Sequence, residues 1–141
     1  EKKIEPVVMV EKKQKGVLYK RFVDGNWGWF EDGDVTKDYI YEGEIENGKP
    51  NGQGLFTHSD GRKYVGGFKE GEQHGQGMFT NSLQDLKWEG EWRKGKFWNI
   101  TQSNTVTLKI IRKWVVGKKQ LEVVEKRDDY PPDEPVSEPS Y

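Results

Sequence analysis

The sequence predicts an all-β repeat protein of tandem hairpins, on three observations. A block of aromatic and glycine residues recurs at offsets of 23 and 24 residues. Six Trp, six Tyr and six Phe accompany a hydrophobic share of only 32%, so order rests on large rings and glycine geometry rather than on a thick aliphatic core. Dipeptides of the Asn-Gly and Asp-Gly kind fall between alternating runs, the strongest short-range hairpin signal.

The repeating block begins as Tyr41-Glu42-Gly43-Glu44-Ile45-Glu46-Asn47-Gly48, returns as Tyr64-Val65-Gly66-Gly67-Phe68-Lys69-Glu70-Gly71, and returns again as Trp88-Glu89-Gly90-Glu91-Trp92-Arg93-Lys94-Gly95. Between these, Asn51-Gly52-Gln53-Gly54-Leu55-Phe56-Thr57 is matched by His74-Gly75-Gln76-Gly77-Met78-Phe79-Thr80. Each unit reads as one hairpin. In its first strand Tyr41, Gly43 and Ile45 share a face and Glu42, Glu44 and Glu46 the other. Asn47-Gly48 and its counterparts supply the turn, because glycine accepts positive φ without a steric cost. In the second strand a glycine between large residues leaves bare backbone for a neighbouring ring to cover.

The flanks read as caps. Gly16–Phe22 and Asn26–Phe30 form a hairpin around Asp24-Gly25, within an N-terminal cap at 16–40. Units at 41–63, 64–87 and 88–100 follow. A C-terminal hairpin at 104–126 alternates over Thr105–Ile110, continues through Trp114–Val116, turns at Gly117–Lys119 and returns through Leu121–Val124. A stack of repeats needs such atypical ends to protect its open edges. The β-domain thus spans 16–127. Residues 1–15 are rich in Glu and Lys and read as a flexible lead. Residues 128–141 are acidic and rich in proline and read as a disordered tail. Pro132 and Pro135 make a formal P-x-x-P, which its acidic neighbours argue against as an SH3-type ligand.

Tyr-x-Gly-x-Ile/Phe/Trp-x-x-Gly followed by Gly-x-Gly resembles the MORN (membrane occupation and recognition nexus) repeat over about residues 41–100. Tyr41–Lys63 matches almost throughout. Tyr64–Lys87 carries an extra residue and lacks the Asp60-Gly61 loop. Trp88–Ile100 matches in its first half, Asn99 standing where Gly52 and Gly75 stood. The resemblance implies an elongated, single-layer antiparallel sheet with one hairpin per repeat and an aromatic-lined groove. It further implies a module for interaction, dimerisation or scaffolding, with phospholipid binding proposed for some members and catalysis left to separate domains. Gly16–Asp34 and Phe97-Trp98-Asn99 are similar to the flanks of bacterial MORN proteins, which implies a periplasmic, envelope or secreted protein whose signal has been removed.

The residues themselves offer little catalytic chemistry. His58 and His74 sit at different repeat positions, and neither has His, Cys or a carboxylate at a metal-ligand spacing. Both read as polar turn residues. The pairs Glu42/Glu44 and Glu89/Glu91 recur at a structural period and read as a solvated sheet face rather than an acid/base pair. Gly52-Gln53-Gly54 and Gly75-Gln76-Gly77 lack the following helix that a phosphate-cradling loop needs. There is no cysteine, which excludes disulfides and thiolate metal sites. The expectation is therefore no enzyme activity, no metal and no small-molecule cofactor.

A net charge of -1 argues against nucleic acid, whose phosphates call for a basic surface. No apolar run approaches a membrane span. The partner expected is a protein, or a second copy of this chain, held in the groove or at a sheet edge. The groove candidates are Tyr41, Ile45, Phe56, Tyr64, Phe68, Phe79, Trp88 and Trp92, with the alternative that these rings pack only on one another. Two other readings are anionic lipid, through Arg62, Lys63, Arg93, Lys94 and Lys96, and glycan, through Trp27, Trp29, Trp88, Trp92 and Trp98. Acids interleave the first set, and packing accounts equally for the second.

Overall fold

A computed structural model describes residues 14–120. Ten strands make one antiparallel sheet: β1 (Gln14–Val23), β2 (Asn26–Phe30), β3 (Tyr39–Glu46), β4 (Lys49–Thr57), β5 (Arg62–Lys69), β6 (Glu72–Asn81), β7 (Leu86–Arg93), β8 (Lys96–Asn104), β9 (Ile110–Val115) and β10 (Lys118–Gln120). From β3 onward each strand pairs with the next. The flexible lead expected at 1–15, the return strand Leu121–Val124 and the tail at 128–141 lie wholly or largely outside the described residues.

Five tight turns of one kind set the period. Asp24-Gly25, Asn47-Gly48, Glu70-Gly71, Lys94-Gly95 and Val116-Gly117 all have two successive residues at positive φ. That is the type I′ geometry, whose twist matches the right-handed twist of paired strands. Glycine fills the second position every time, so a single local rule recurs through both flanks as well as through the central units.

The first hairpin departs from a simple meander. β1 lies between β2 and β3 and is antiparallel to both. The turn at 24–25 therefore sits at the opposite margin of the sheet from the other four. Residues 31–38 recross β1 to reach β3, and the crossing is anchored by polar contacts. The Arg21 guanidinium donates to the Asp32 carbonyl at 2.7 Å and meets the Asp38 carboxylate at 3.4 Å. Asp38 also accepts from the Asp34 amide at 2.8 Å.

The last hairpin also differs from its sequence reading. Residues 105–107 form a turn, and the preceding strand runs on to Asn104. The Asn104 side chain causes this, accepting from the amides of Val106 at 2.8 Å and Thr107 at 2.9 Å. Such local bonding offers the backbone an alternative to the ladder and overrides the alternating Thr-Val-Thr pattern.

The pairing of the two strands within each unit is irregular at one point. The register shifts between Gly43 and Ile45, between Gly66 and Phe68, and between Glu91 and Trp92, a bulge at the same place in each unit. The extra residues lie in the second strand: residues 51–53 face Glu44 alone, residues 74–76 face Gly67 alone, and Trp98 is unmatched. Ile45, Phe68 and Trp92 therefore keep the face of Tyr41, Tyr64 and Trp88.

Candidate interaction surfaces

The aromatic face is assembled by register. Tyr41 is opposite Phe56, Phe56 opposite Tyr64, Tyr64 opposite Phe79 and Phe79 opposite Trp88. The first-strand rings Tyr41, Tyr64 and Trp88 and the second-strand rings Phe56 and Phe79 thus interleave into one row across β3–β7. Phe68 lies beside this row, 4.9 Å from the Tyr41 ring and 5.1 Å from the Tyr64 ring.

Glycine makes the packing tight. The Tyr41 ring covers Gly54 and the Tyr64 ring covers Gly77, so that a Cβ on either glycine would fall inside the ring above it. Each phenol then reaches backbone: Tyr41 donates to the Glu44 carbonyl at 2.6 Å and Tyr64 to the Gly67 carbonyl at 2.9 Å. Burial, aided by the nearby Glu44 carboxylate, pushes the Tyr41 phenol up to about 12. Burial raises Tyr64 further still. Both hydroxyls are neutral donors, as their bonds require.

Rings continue edge-on along the sheet. Trp29, Tyr41, Phe68, Tyr64, Trp92, Phe97 and Trp114 form an unbroken chain with centroid spacings of 4.6–6.1 Å. The first link shows how strongly the sheet curls. Trp29 on β2 touches Tyr41 and Phe56 and reaches Gly71 at the tip of the β5–β6 hairpin. Lys20 lies with it, its ammonium 5.4 Å from the Trp29 ring, 5.6 Å from Trp27 and 5.9 Å from Phe56. Burial lowers the Lys20 pKa, and Glu72 opposes that shift. The first hairpin thus folds over the aromatic face and closes it.

The eight groove candidates are brought together, but inside. Tyr41, Phe56, Tyr64, Phe68, Phe79 and Trp92 are buried, with Tyr41 and Tyr64 at 0% exposure. Ile45 and Trp88 are partly buried against them. The groove expected from sequence is filled by its own rings and by Trp29 and Lys20, because bare glycine backbone lets rings descend onto the sheet. Sequence reasoning left Trp29, Phe97 and Trp114 out of the candidate set, since none stands in a repeating column.

The polar candidates have structural partners. Glu44 accepts from the Gln53 amide at 2.7 Å, and Lys87 pairs with Glu89 at 3.3 Å. Arg93, and then Asn99, hold Glu91 below the usual carboxylate range. His58 lies against Tyr39 and Asp60. His74 accepts from the Lys94 amide at 3.2 Å. Among the described residues no group of three His, Cys, Asp or Glu is placed to hold a metal ion.

What remains accessible lies mainly at the ends. Of the large apolar side chains left exposed, Val17, Phe22, Val23, Trp27 and Val35 belong to the first hairpin and its crossing. Val106, Leu108, Ile110, Val115 and Val116 belong to the last, and among the described residues only Val65 and Leu83 lie between. The last hairpin is also basic. Lys109, Arg112, Lys113, Lys118 and Lys119 occur without any Asp or Glu from 105 to 120. In the linear sequence this run is masked by acids further along, from Glu122 onward.

An open sheet of curled hairpins, with a ring-filled face and with apolar side chains exposed at its ends, is the architecture of a hairpin-repeat protein. The MORN repeat model matches residues 41–61 and 64–82, and the chain carries MORN repeats at those positions. Repeats of this kind are generally binding or scaffold modules. No curated protein matches the chain.

Proposed function

We propose that this chain is a binding and scaffolding module that holds a protein partner or a second copy of itself through the ends of its sheet. The carrying observation is the segregation of exposed apolar side chains to the first and last hairpins. Large apolar side chains left exposed together on one element mark a contact site. Among the described residues the outer strands are β2 and β10, and an outer strand is a template for an added strand. In this reading six of the eight groove candidates shape the sheet, while Ile45 and Trp88 form the accessible margin of the aromatic face.

Sedimentation velocity over a range of concentrations, on the parent and on a Trp27→Lys, Ile110→Lys variant, tests this reading. Association, with itself or with a copurifying protein, is expected to weaken in the variant while circular dichroism is unchanged. A parent that is monomeric at every concentration and holds no copurifying protein overturns it.

A second reading, anionic lipid, gains support from the last hairpin. Its five cations belong to the same hairpin as Leu108, which is 76% exposed, and each basic residue near an anionic membrane surface contributes about 1 kcal/mol. Flotation with phosphatidylserine vesicles is expected, with loss in a Lys118→Glu, Lys119→Glu variant. Equal flotation with phosphatidylcholine alone removes the reading.

A further inference from the structure

We infer that the acidic segment 128–138 of this same chain docks on the basic, partly apolar surface of the β9–β10 hairpin. Charge is the first argument. From Asp128 to Tyr141 the sequence carries Asp128, Asp129, Asp133, Glu134 and Glu138 and no Lys or Arg, against five cations and no acid from 105 to 120. Between Asp24 and Asn104, by contrast, Asp and Glu interleave the cations along the sequence, and Arg62 meets Asp60 at 2.7 Å while Arg93 meets Glu91 at 2.9 Å. Among the described residues no carboxylate pairs with Lys113, Lys118 or Lys119.

Reach is the second argument. Residues 121–127 connect β10 to Asp128 and span at most about 25 Å when extended. The strands of the hairpin are about 5 Å apart, so the whole hairpin is within the tether. Screening at physiological salt has a length of about 8 Å, and a short tether holds its end at roughly millimolar local concentration. Unlike-charge attraction therefore acts on this surface before any outside anion competes for it.

Shape and apolar content agree. Lys118 is opposite Val115 in the ladder, and Lys113 lies two residues before Val115, so all three side chains share the outer face, while Lys119, opposite Trp114, belongs to the other face at the same edge. Val106, Leu108 and Ile110 are exposed near its far margin. The segment interleaves its acids with Tyr130, Val136 and Pro131, Pro132 and Pro135. Prolines hold a chain extended at about 3.1 Å per residue and reduce the entropy lost on docking. The contact does not depend on the lipid reading. Where both hold, the tail occupies the surface until a denser anion displaces it.

The chain has no cysteine, so Ser140→Cys gives a single attachment point for a nitroxide on the full chain. Amide signals of Lys113–Lys119 and Leu108 should be lost, while those of Asn47, Gly48 and Glu70 keep their intensity. The lost signals should return at about 1 M salt, where the screening length falls to about 3 Å. They should also return when the five acids are replaced by Asn or Gln. Full intensity at Lys113–Lys119 in the labelled parent, or loss that persists unchanged in the neutralised tail, overturns the inference.

Discussion

Gly54 and Gly77 lie beneath the rings of Tyr41 and Tyr64, while Gly75, two residues before Gly77, has open space where a Cβ would go. These glycines serve different ends. Gly77→Ala forces the Tyr64 ring off the sheet and breaks its bond to Gly67, and should cost about 3 kcal/mol, at the upper end of overpacking. Gly75→Ala meets only the strain of its φ of 87° and should cost roughly 1 kcal/mol. Urea unfolding of the two variants tests the difference; equal midpoints would dismiss the ring-on-glycine account. The phenols give a second test. Tyr41 and Tyr64 are raised by burial, so above pH 10 the unfolded chain loses protons that the folded one retains. Stability is therefore whole below pH 10 and declines as pH rises toward about 12, where Tyr41 titrates. Tyr41→Phe should flatten that decline, read by circular dichroism from pH 8 to 12.5, although it loses the bond to Glu44. Alternation of ring and glycine was plain in the sequence. Burial of the rings was not, because it depends on Trp29 and Lys20 arriving from a hairpin that lacks the glycine pattern.

Between hairpins, one contact recurs three times. Asn51, His74 and Asn99 each accept, on a side-chain atom, the amide of the first turn residue of the next hairpin: Glu70 at 3.2 Å, Lys94 at 3.2 Å and Val116 at 3.0 Å. The neighbouring turn glycines Gly71, Gly95 and Gly117 donate to the carbonyls of Pro50, Gln73 and Trp98 at 2.7–2.9 Å. Each of these three tight turns is thus clamped to the second strand of the preceding unit. The sequence places Asn99 level with Gly52 and Gly75; in the structure the β7–β8 bulge gives it the task of Asn51 and His74. His74→Asn keeps an acceptor and should leave stability nearly unchanged, whereas His74→Ala should cost about 1 kcal/mol by orphaning the Lys94 amide. The fifth turn carries a conflict. Val116 has a φ of 52°, a conformation that a β-branched residue adopts only under strain. Val116→Asn should relieve roughly 1 kcal/mol and raise the thermal midpoint by a few degrees. A lower midpoint would mean that Val116 supports the hairpin through contacts of its own. Turn chemistry at these sites was legible because Gly fills the second position. The clamps were not, because each joins residues about 20 apart whose pairing depends on register.

At the scale of the whole molecule, hairpins stacked side by side would open from either end with similar ease, since each unit contacts only its neighbours. The two ends of this sheet are not equivalent. At the amino-terminal end β1 is paired on both sides, by β2 and β3, and Trp29 and Lys20 turn back onto Phe56. The first hairpin thereby contacts units that are not its neighbours in the ladder, which couples its opening to theirs. At the carboxy-terminal end β10 pairs over three residues with β9 alone, and the ring chain ends at Trp114, packed on Phe97. The sequence showed two capping hairpins of similar apolar content and so gave no reason to rank them; the rank comes from the crossing at 31–38 and the curl it permits. Amide hydrogen exchange under native conditions should therefore be slowest in β3–β7, nearly as slow at Leu18–Arg21 in β1, and fastest in β9 and β10, with the order fixed by local opening free energies. Trp29→Ala should bring the exchange of β1 up to that of β9 while leaving β6 and β7 slow. Uniform exchange across all ten strands would instead make the sheet a single cooperative unit, and equal rates at the two ends of the parent would show that the folded-back hairpin adds nothing to the pairing of β1.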